Sequence, residues 1–537
     1  MALRQVLQMP AALRPSLFYR SSLLAQASWR CRDYQPLPET RRAFASQSPQ
    51  PDPEASHSDS PSQIAASSTS SSPSPSPQST SSALSPASSN ESIQKTWDEN
   101  VDLSISAFSQ LPHSNFGVNQ HMIINEEFKE ALRQILWQFR APIRYAFAYG
   151  SGVFAQQKGS SSSSTSSLHP SPNKAIAAIQ HGEGKMIDFI FGVSYTEHWQ
   201  SLNLHQHRDH YSFLGSLGSG VISNVQDKWG AGVYFNPYVT VNGTLIKYGV
   251  VNLDTLCRDL SEWDTLYLAG RLQKPVKILR DNPRVRLANQ INLLSAVRVA
   301  LLLLPPKFTE RELYSTIAGI SYMGDPRMSL PTENRQKVAN IVTNQLGNFR
   351  QLYAPLIENL PNVSFVDSRS LRPGWEDDVS IDAALEQDMD PVKRGNMVRR
   401  LPKQFRHKLY FQYQSKFQIP QREFDAMMEA SKDEDQTRIK RREGGEFERR
   451  IACDEAGLRK EVSAAIKKTI SWPSTTQSIK SFFTAGVFRS LRYVREKWDK
   501  FVEGNKKVGG DVKKDAKKET ADSETNPENE KEKQKQE

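Results

Sequence analysis

An α+β fold is predicted for this 537-residue chain, with a small mixed sheet and helices in one part and a mostly helical part after it. Three observations predict it. An apolar run from Ile143 to Tyr149 ends at Gly150-Ser151-Gly152, and a second apolar run, Lys185 to Val193, carries Asp188. Asn242-Gly243 joins two strand-like runs, Tyr238 to Val241 and Leu245 to Val251, as a two-residue hairpin would. Beyond Asp281 the apolar period becomes that of helices.

The elements follow in order. Phe128, Leu132, Ile135 and Phe139 fall at helical spacing behind Asn125, a fitting cap. In the Asp188 strand, Ile187, Phe189, Phe191 and Val193 share one face by the two-residue period, and Asp188 and Ile190 share the other. The segment from Asp281 to Leu304 is apolar on more than one face, as a buried helix is. Thr309-Glu310-Arg311-Glu312 reads as a capping box, followed by Leu313, Ile317 and Ile320. A further helix is expected from Thr332 to Leu346, which makes the second part a helical or winged-helix-like domain. After Pro473, the residues Ile479, Phe482, Phe483, Val487, Leu491, Val494, Trp498 and Phe501 form an apolar stripe. Lys480, Arg489, Arg492, Arg495 and Lys497 supply its polar side. A basic amphipathic helix of this kind lies flat on an anionic bilayer or docks on its own protein.

The expected organisation is a basic, acid-poor leader at 1–44 of the mitochondrial transit type, then a Ser/Pro-rich disordered linker at 45–95. A catalytic domain spans 96–278, with a low-complexity insertion at 159–173. The helical domain spans 279–430, with an insertion at 371–399. A membrane-contact region at 431–502 and a disordered charged tail at 503–537 complete the chain. The net charge of +10 suits an anionic partner. The three cysteines, Cys31, Cys257 and Cys453, lie too far apart for a zinc spacing and fit a reducing compartment. The longest apolar run, Leu293 to Leu304, is too short to cross a bilayer and contains Arg298.

A glycine-serine turn after one strand and a carboxylate on the next is the arrangement with which nucleotidyltransferases hold a triphosphate and a divalent cation. Glycines let the backbone approach phosphate oxygens, and the amides of the turn point at the anion. Gly150, Ser151 and Gly152 are therefore the expected nucleotide-binding residues. Asp188 offers a hard oxygen ligand to Mg²⁺. The position where a second acid is customary holds Ile190, so Asp254 is the first choice for a second metal carboxylate, with Asp209 and Asp227 behind it. Asp254 equally suits capping of the helix after Leu253.

The blocks YGSGVFAQ, KMIDFIFGV, HWQSLNLHQHRDHYSFLG, WGAGVYFNPYV, IKYGVVNLDTLCRDL and AGRLQKPV occur in this order between Tyr149 and Val276. The series resembles the mitochondrial phosphatidate cytidylyltransferase family, also called the mitochondrial translocator assembly and maintenance protein. The resemblance implies a nucleotidyltransferase fold and Mg²⁺-dependent transfer of the cytidylyl group of CTP to phosphatidic acid, giving CDP-diacylglycerol and pyrophosphate. It implies a peripheral protein on the matrix side of the mitochondrial inner membrane, in contact with anionic lipids and serving cardiolipin and phosphatidylglycerol synthesis. No nucleic-acid partner is expected, and nothing in the sequence decides the oligomeric state.

Such a reaction brings two anions together, so cations are as diagnostic as carboxylates. Asp188, Ser151 and Lys247 are the expected catalytic residues. Arg271 and Lys274 are expected at phosphate or lipid head group, although solvated surface cations would look the same. Within the resemblance, His205 and His210 belong to the active-site region and take the same assignment. His205, His207 and His210 lack the spacing of a zincin. The stretch from Gly215 to Gly232 suits a flexible lip or plain turns. Phe482, Phe483, Leu491 and Trp498 are the expected membrane contacts. Two other readings share the Gly-Ser turn: an organellar RNA nucleotidyltransferase, and a non-catalytic assembly factor for mitochondrial protein import.

Overall fold

The computed structural model describes residues 103–154, 176, 186–329, 336–371, 374–375, 378–436, 444–486 and 495. The expected transit peptide, Ser/Pro-rich linker, low-complexity insertion and charged tail lie outside the described residues, as do Leu491 and Trp498.

The first part runs α1 (Glu126–Trp137), β1 (Tyr145–Tyr149), β2 (Ile187–Val193), α2 (Thr196–Gln206), α3 (Ser219–Lys228), β3 (Val233–Val241), β4 (Thr244–Asn252), α4 (Leu253–Glu262), α5 (Ala269–Leu272) and β5 (Lys277–Arg280). The second runs α6 (Pro283–Leu303), β6 (Lys307–Thr309), α7 (Glu310–Ile320), α8 (Lys337–Asn344), α9 (Leu346–Glu358), β7 (Val363–Phe365), β8 (Ala384–Gln387), α10 (Pro391–Arg399), α11 (Lys403–Phe417), α12 (Gln421–Gln436), α13 (Glu446–Ala452) and α14 (Glu455–Ala485).

The local signals explain most of these boundaries. Asn125 caps α1 by accepting from Phe128 N, and Thr309 and Glu312 close the capping box of α7. The turn at Asn242-Gly243 has positive φ at both residues, 48° and 73°, which closes the hairpin. β3 begins at Val233, five residues before the expected start, because a bulge between Asn236 and Val239 breaks its alternation.

The five strands form one mixed sheet in the order β3-β4-β2-β1-β5. β2 and β4 are parallel, and the other pairs are antiparallel. Cross-strand partners share a face. Tyr149, Asp188 and Lys247 lie side by side on one face, with Ile190, Gly249 and Phe235 beyond them. Ala148, Phe189, Tyr248 and Lys277 occupy the opposite face, where Trp199 of α2 and Phe139 meet Phe191 and Tyr248. Both faces are buried, so β2 reads as a nearly continuous apolar run.

The second part is mainly helical but holds a small antiparallel sheet, β6-β8-β7. Residues 371–399, expected as an insertion, supply its central strand β8 and the helix α10. Leu385, Met397 and Val398 there are buried in the core. The acidic and basic residues of that segment lie between its few apolar anchors and hide them from a composition reading. The Arg350 guanidinium and the Glu310 carboxylate pair with both side chains fully buried. The guanidinium also donates to the carbonyls of Trp375 at 2.9 Å, Asp378 at 2.7 Å and Ile381 at 2.6 Å. Arg350→Met would strand the Glu310 charge in the interior and is expected to cost about 3–5 kcal/mol, read as a lowered denaturant midpoint.

Helix α14 returns to the first part and packs along β3. Gln477 donates to the Val233 carbonyl at 3.1 Å and accepts from Ala231 N at 3.2 Å. Lys480, expected on the solvated polar side of an amphipathic helix, is instead buried. Its ammonium donates to the carbonyls of Gln226 at 3.1 Å, Val225 at 3.4 Å and Trp229, at the end of α3. A helix C-terminus leaves carbonyls without intrahelical donors, and Lys480 satisfies them.

Candidate active site

The site forms where β1 ends and β2 and β4 begin. Gly150 adopts φ +84°, a conformation that disfavours any side chain. A Cβ at this position would stand 3.3 Å from Asp188 Oδ2, so the turn is folded directly over that carboxylate. Ser151 is exposed on the same turn. Lys247 Nζ lies 3.4 Å from Asp188 Oδ1, with both side chains about a quarter exposed, 23% and 26%. Lys247 also lies over the Phe235 ring, 4.6 Å from its centroid. Gly249 makes room for that ring, since a Cβ there would meet Phe235 Cε1 at 2.6 Å. Phe235 and Lys247 thus form the floor beside Asp188.

Arg271 of α5 closes one side. Its guanidinium stands 3.9 Å from the Tyr267 ring centroid, 5.7 Å from that of Tyr149 and 6.0 Å from that of Phe235. It donates to the Tyr267 carbonyl at 2.5 Å and to the Tyr149 hydroxyl at 3.3 Å. Burial opposes its charge, but the Tyr267 and Tyr149 hydroxyls outweigh that and raise the pKa further. Burial would likewise raise the Tyr267 phenol, yet Arg271, Arg327 and Lys247 together bring it below its ordinary value.

The segment after α7 brings further cations. Lys274 donates to the Gly270 carbonyl and, at 2.8 Å, to Ser321 Oγ. Lys274 and Lys337 approach the same ring, Tyr322, at 5.1 and 5.3 Å. Arg327 is held by Asp325 through contacts of 2.5 to 3.1 Å and interacts electrostatically with Tyr267 and Arg271. Asp325 is kept ionised below the usual carboxylate range: burial opposes this, but the Arg327 guanidinium prevails. Five cations, Lys247, Arg271, Lys274, Arg327 and Lys337, therefore share the region with the carboxylates Asp188 and Asp325. Such a surplus of partly buried positive charge is unfavourable alone and suits a polyanion.

The Lys274 ammonium is pushed down to about 7, first by burial and then by Arg271 and Lys337. Its folded value lies below the unfolded one, so this group's contribution to stability rises with pH between about 7 and 10.5, and its penalty is complete below that window. A phosphate bound there restores the proton. Binding of a polyphosphate anion there near pH 7.5 is therefore expected to take up protons and to weaken as pH rises. Calorimetry in buffers of different ionisation enthalpy would register the uptake, and Lys274→Met would abolish it while raising thermal stability near pH 6.

The other expected site residues lie elsewhere. Asp254 sits in the first turn of α4, past the far end of β4 from Lys247, where it pairs with Arg284 at 2.5 Å. Asn252 caps that helix, and Asp254 cannot share a cation with Asp188 from there. Asp227 bonds to Thr196 Oγ1 at 3.3 Å on the α2–α3 side. His210 is buried on the opposite face of the sheet, its Nδ1 2.9 Å from the Tyr248 hydroxyl. The two faces of β4 alternate, so Tyr248 and its partner His210 face away from Lys247. His205 is exposed on the last turn of α2. The stretch expected as a Gly-rich lip contains α3, which packs on that same far side.

Among the described residues, three metal-ligating side chains converge only at His207, Asp209 and His210. The two imidazoles stack at 4.4 Å with planes 4° apart. Parallel rings direct their lone pairs alongside one another rather than to a common point. At Asp188 the donor set is a single carboxylate beneath the Gly150 turn. That fits Mg²⁺, which is commonly bound through one or two carboxylates plus substrate phosphate oxygens.

Sequence reasoning missed Tyr149, Phe235, Tyr267, Tyr322, Asp325, Arg327 and Lys337. The one local signal was Gly324-Asp325-Pro326-Arg327, a turn with a charged pair two residues apart.

Comparison with known proteins yields one consistent result. The family described as mitochondrial phosphatidate cytidylyltransferase matches residues 132–500. A protein of that description from Schizosaccharomyces pombe is 36% identical over 390 residues, which cover 71% of this chain and 86% of that protein. The Saccharomyces cerevisiae protein is 42% identical over 257 residues, covering 47% and 61% respectively. The Mus musculus protein is 35% identical over 378 residues, covering 70% and 95%.

Proposed function

Because the chain belongs to the mitochondrial phosphatidate cytidylyltransferase family, we propose that the Asp188 face is where it transfers the cytidylyl group of CTP to phosphatidic acid, giving CDP-diacylglycerol and pyrophosphate. The observation that carries the placement is the surplus of five cations over two carboxylates beside Asp188, which lies under a glycine turn and against Lys247.

The nucleophile is already an anionic phosphate, so no strong general base is required. The protein's task is to hold two mutually repelling anions in line and to stabilise charge on the leaving pyrophosphate. The backbone of Gly150, Ser151 and Gly152 faces the triphosphate, and Lys247 sets the Asp188 carboxylate. Arg271, stacked on Tyr267, presents fixed donors to the reacting phosphates. Lys274, Arg327 and Lys337 counter the remaining charge. Mg²⁺ held by Asp188 would neutralise charge on the triphosphate when bound. We read the five-stranded sheet as nucleotidyltransferase-like and the second part as winged-helix-like. Label from CTP should enter chloroform-soluble product with phosphatidic acid as acceptor and stop when a chelator removes divalent cations. Undiminished transfer with the chelator would contradict the metal assignment.

The membrane reading rests on α14. Its first half buries Leu458, Val462, Ile466 and Ile470, but from Ser471 onward the protein-facing side is polar, with Ser474, Gln477, Lys480 and Thr484 buried, while Trp472, Ile479, Phe482 and Phe483 are 42–73% exposed. A helix end that turns its polar face to the protein and its apolar face outward is prepared for an apolar neighbour. No helix among the described residues is long and apolar enough to cross a membrane. We therefore place the protein peripherally on the matrix side of the mitochondrial inner membrane, where its product serves cardiolipin and phosphatidylglycerol synthesis. The triple variant Trp472→Ser, Phe482→Ser, Phe483→Ser is expected to lose at least about tenfold in co-sedimentation with anionic vesicles while still binding CTP; unchanged co-sedimentation would remove α14 from the membrane contact.

A further inference from the structure

A second charged concavity lies at the other edge of the sheet. A cavity of about 310 Å³ is lined by Lys129, Arg133, Lys277, His121 and Asp281 over Ile278 and Leu279. Lys277 is only 7% exposed, and its ammonium, which has three donors, donates to the Met122 carbonyl at 2.6 Å. Burial lowers its pKa, and Lys129 and Arg133 lower it further against the opposing Glu126. Arg133 makes no hydrogen bond or ion pair among the described residues. Asp281 is already paired with Arg286 and in hydrogen-bond contact with His121, and the other carboxylate that acts on Lys277, Glu126, is 79% exposed and engaged by Lys129. The cavity is therefore locally cationic.

Arg133 also borders a second concavity of about 480 Å³, whose apolar wall is Leu136, Trp137, Phe139, Pro142 and Ile143, with Arg140 and Arg280 at its margin. Trp137 is 69% exposed there. Each volume falls within the range of small-molecule sites, roughly 300–1,000 Å³. A cationic pocket continuous with an apolar groove matches a molecule that is anionic at one end and apolar along the rest. Lys277 pairs across the strands with Ala148, on the face opposite Asp188, so this edge is separate from the catalytic face.

We propose that the groove between α1 and β5 is a binding site for a single anionic phospholipid, its phosphate at Lys129, Arg133 and Lys277 and an acyl chain along Leu136, Trp137 and Ile143. Charge complementarity selects the phosphate end, and the apolar wall beside it selects a lipid over a free anion. The site stands independently of the catalytic assignment.

The test is calorimetric binding to the full chain of dioctanoyl phosphatidylglycerol below its micelle concentration, beside inorganic phosphate and dioctanoylglycerol. The lipid is expected to bind more tightly than either fragment. Arg133→Glu should weaken it at least about tenfold, and Trp137→Ala should weaken the lipid but not phosphate. Lys247→Met should leave this binding unchanged, and an unaltered melting temperature and CTP affinity of Arg133→Glu would show an intact fold. Phosphate binding as tightly as the lipid, with Trp137→Ala silent, would make the site one for free anions and overturn the proposal. Equal binding by wild type and Arg133→Glu, loss of binding in Lys247→Met instead, or no lipid binding at all would overturn it as well.

Discussion

Asp188→Asn is expected to lower cytidylyl transfer by about three orders of magnitude while leaving the fold in place. Removing one preorganised charge-stabilising group commonly costs about 10²–10³ in turnover, and a carboxylate that would also hold a cation should cost at least as much. The stability side is small by contrast. The Asp188–Lys247 pair is 3.4 Å apart and about a quarter exposed, so it belongs with weak pairs worth about 0–1 kcal/mol. Turnover and melting temperature measured on one preparation check both halves. A large fall in melting temperature alongside lost activity would assign Asp188 to the structure instead. In cells, an assembly factor would keep its function when it carries Asp188→Asn, whereas an enzyme would lose it.

Arg271→Lys is expected to lower kcat by about a hundredfold, although the positive charge is retained. The guanidinium lies over the Tyr267 ring, 3.9 Å from its centroid, and is tied by two hydrogen bonds to Tyr149 and the Tyr267 carbonyl. A lysine cannot reproduce a planar fork held on an aromatic face, so its ammonium would neither sit nor donate in the same direction. If Arg271 meets charge that develops during transfer, as proposed, the loss should fall on kcat more than on KM. Arg271→Met should lose more activity still, since it removes the charge as well as the fork of donors. A change in KM alone would reduce Arg271 to ground-state binding.

How much of this was legible depends on how local each signal is. The Gly150 turn, the Asp188 strand, the Asn242-Gly243 hairpin and the Thr309 capping box are each specified within a few residues, and all four form. Lys247 could be nominated as a cation, but its place beside Asp188 depends on β2 and β4 pairing in parallel, which needs the whole sheet. Arg327 and Lys337 reach the site from beyond α7, and no local pattern links them to a strand more than 130 residues earlier. The strands β6, β7 and β8 span only three or four residues each and come from distant segments, so their pairing leaves no period to read. His210 and Lys480 show the converse. The resemblance suggested phosphate contact for His210, and residue type suggested water for Lys480, whereas packing turned His210 to a tyrosine hydroxyl and Lys480 to helix-end carbonyls.

The most direct test of the central claim is a comparison of CTP labelled at the α-phosphate with CTP labelled at the γ-phosphate, using purified protein, phosphatidic acid and Mg²⁺. The account predicts that α-label enters chloroform-soluble lipid, that γ-label leaves entirely as pyrophosphate, and that Asp188→Asn abolishes both. Label reaching the lipid from the γ-position, or lipid labelling that survives Asp188→Asn, would contradict transfer of a cytidylyl group at the Asp188 face.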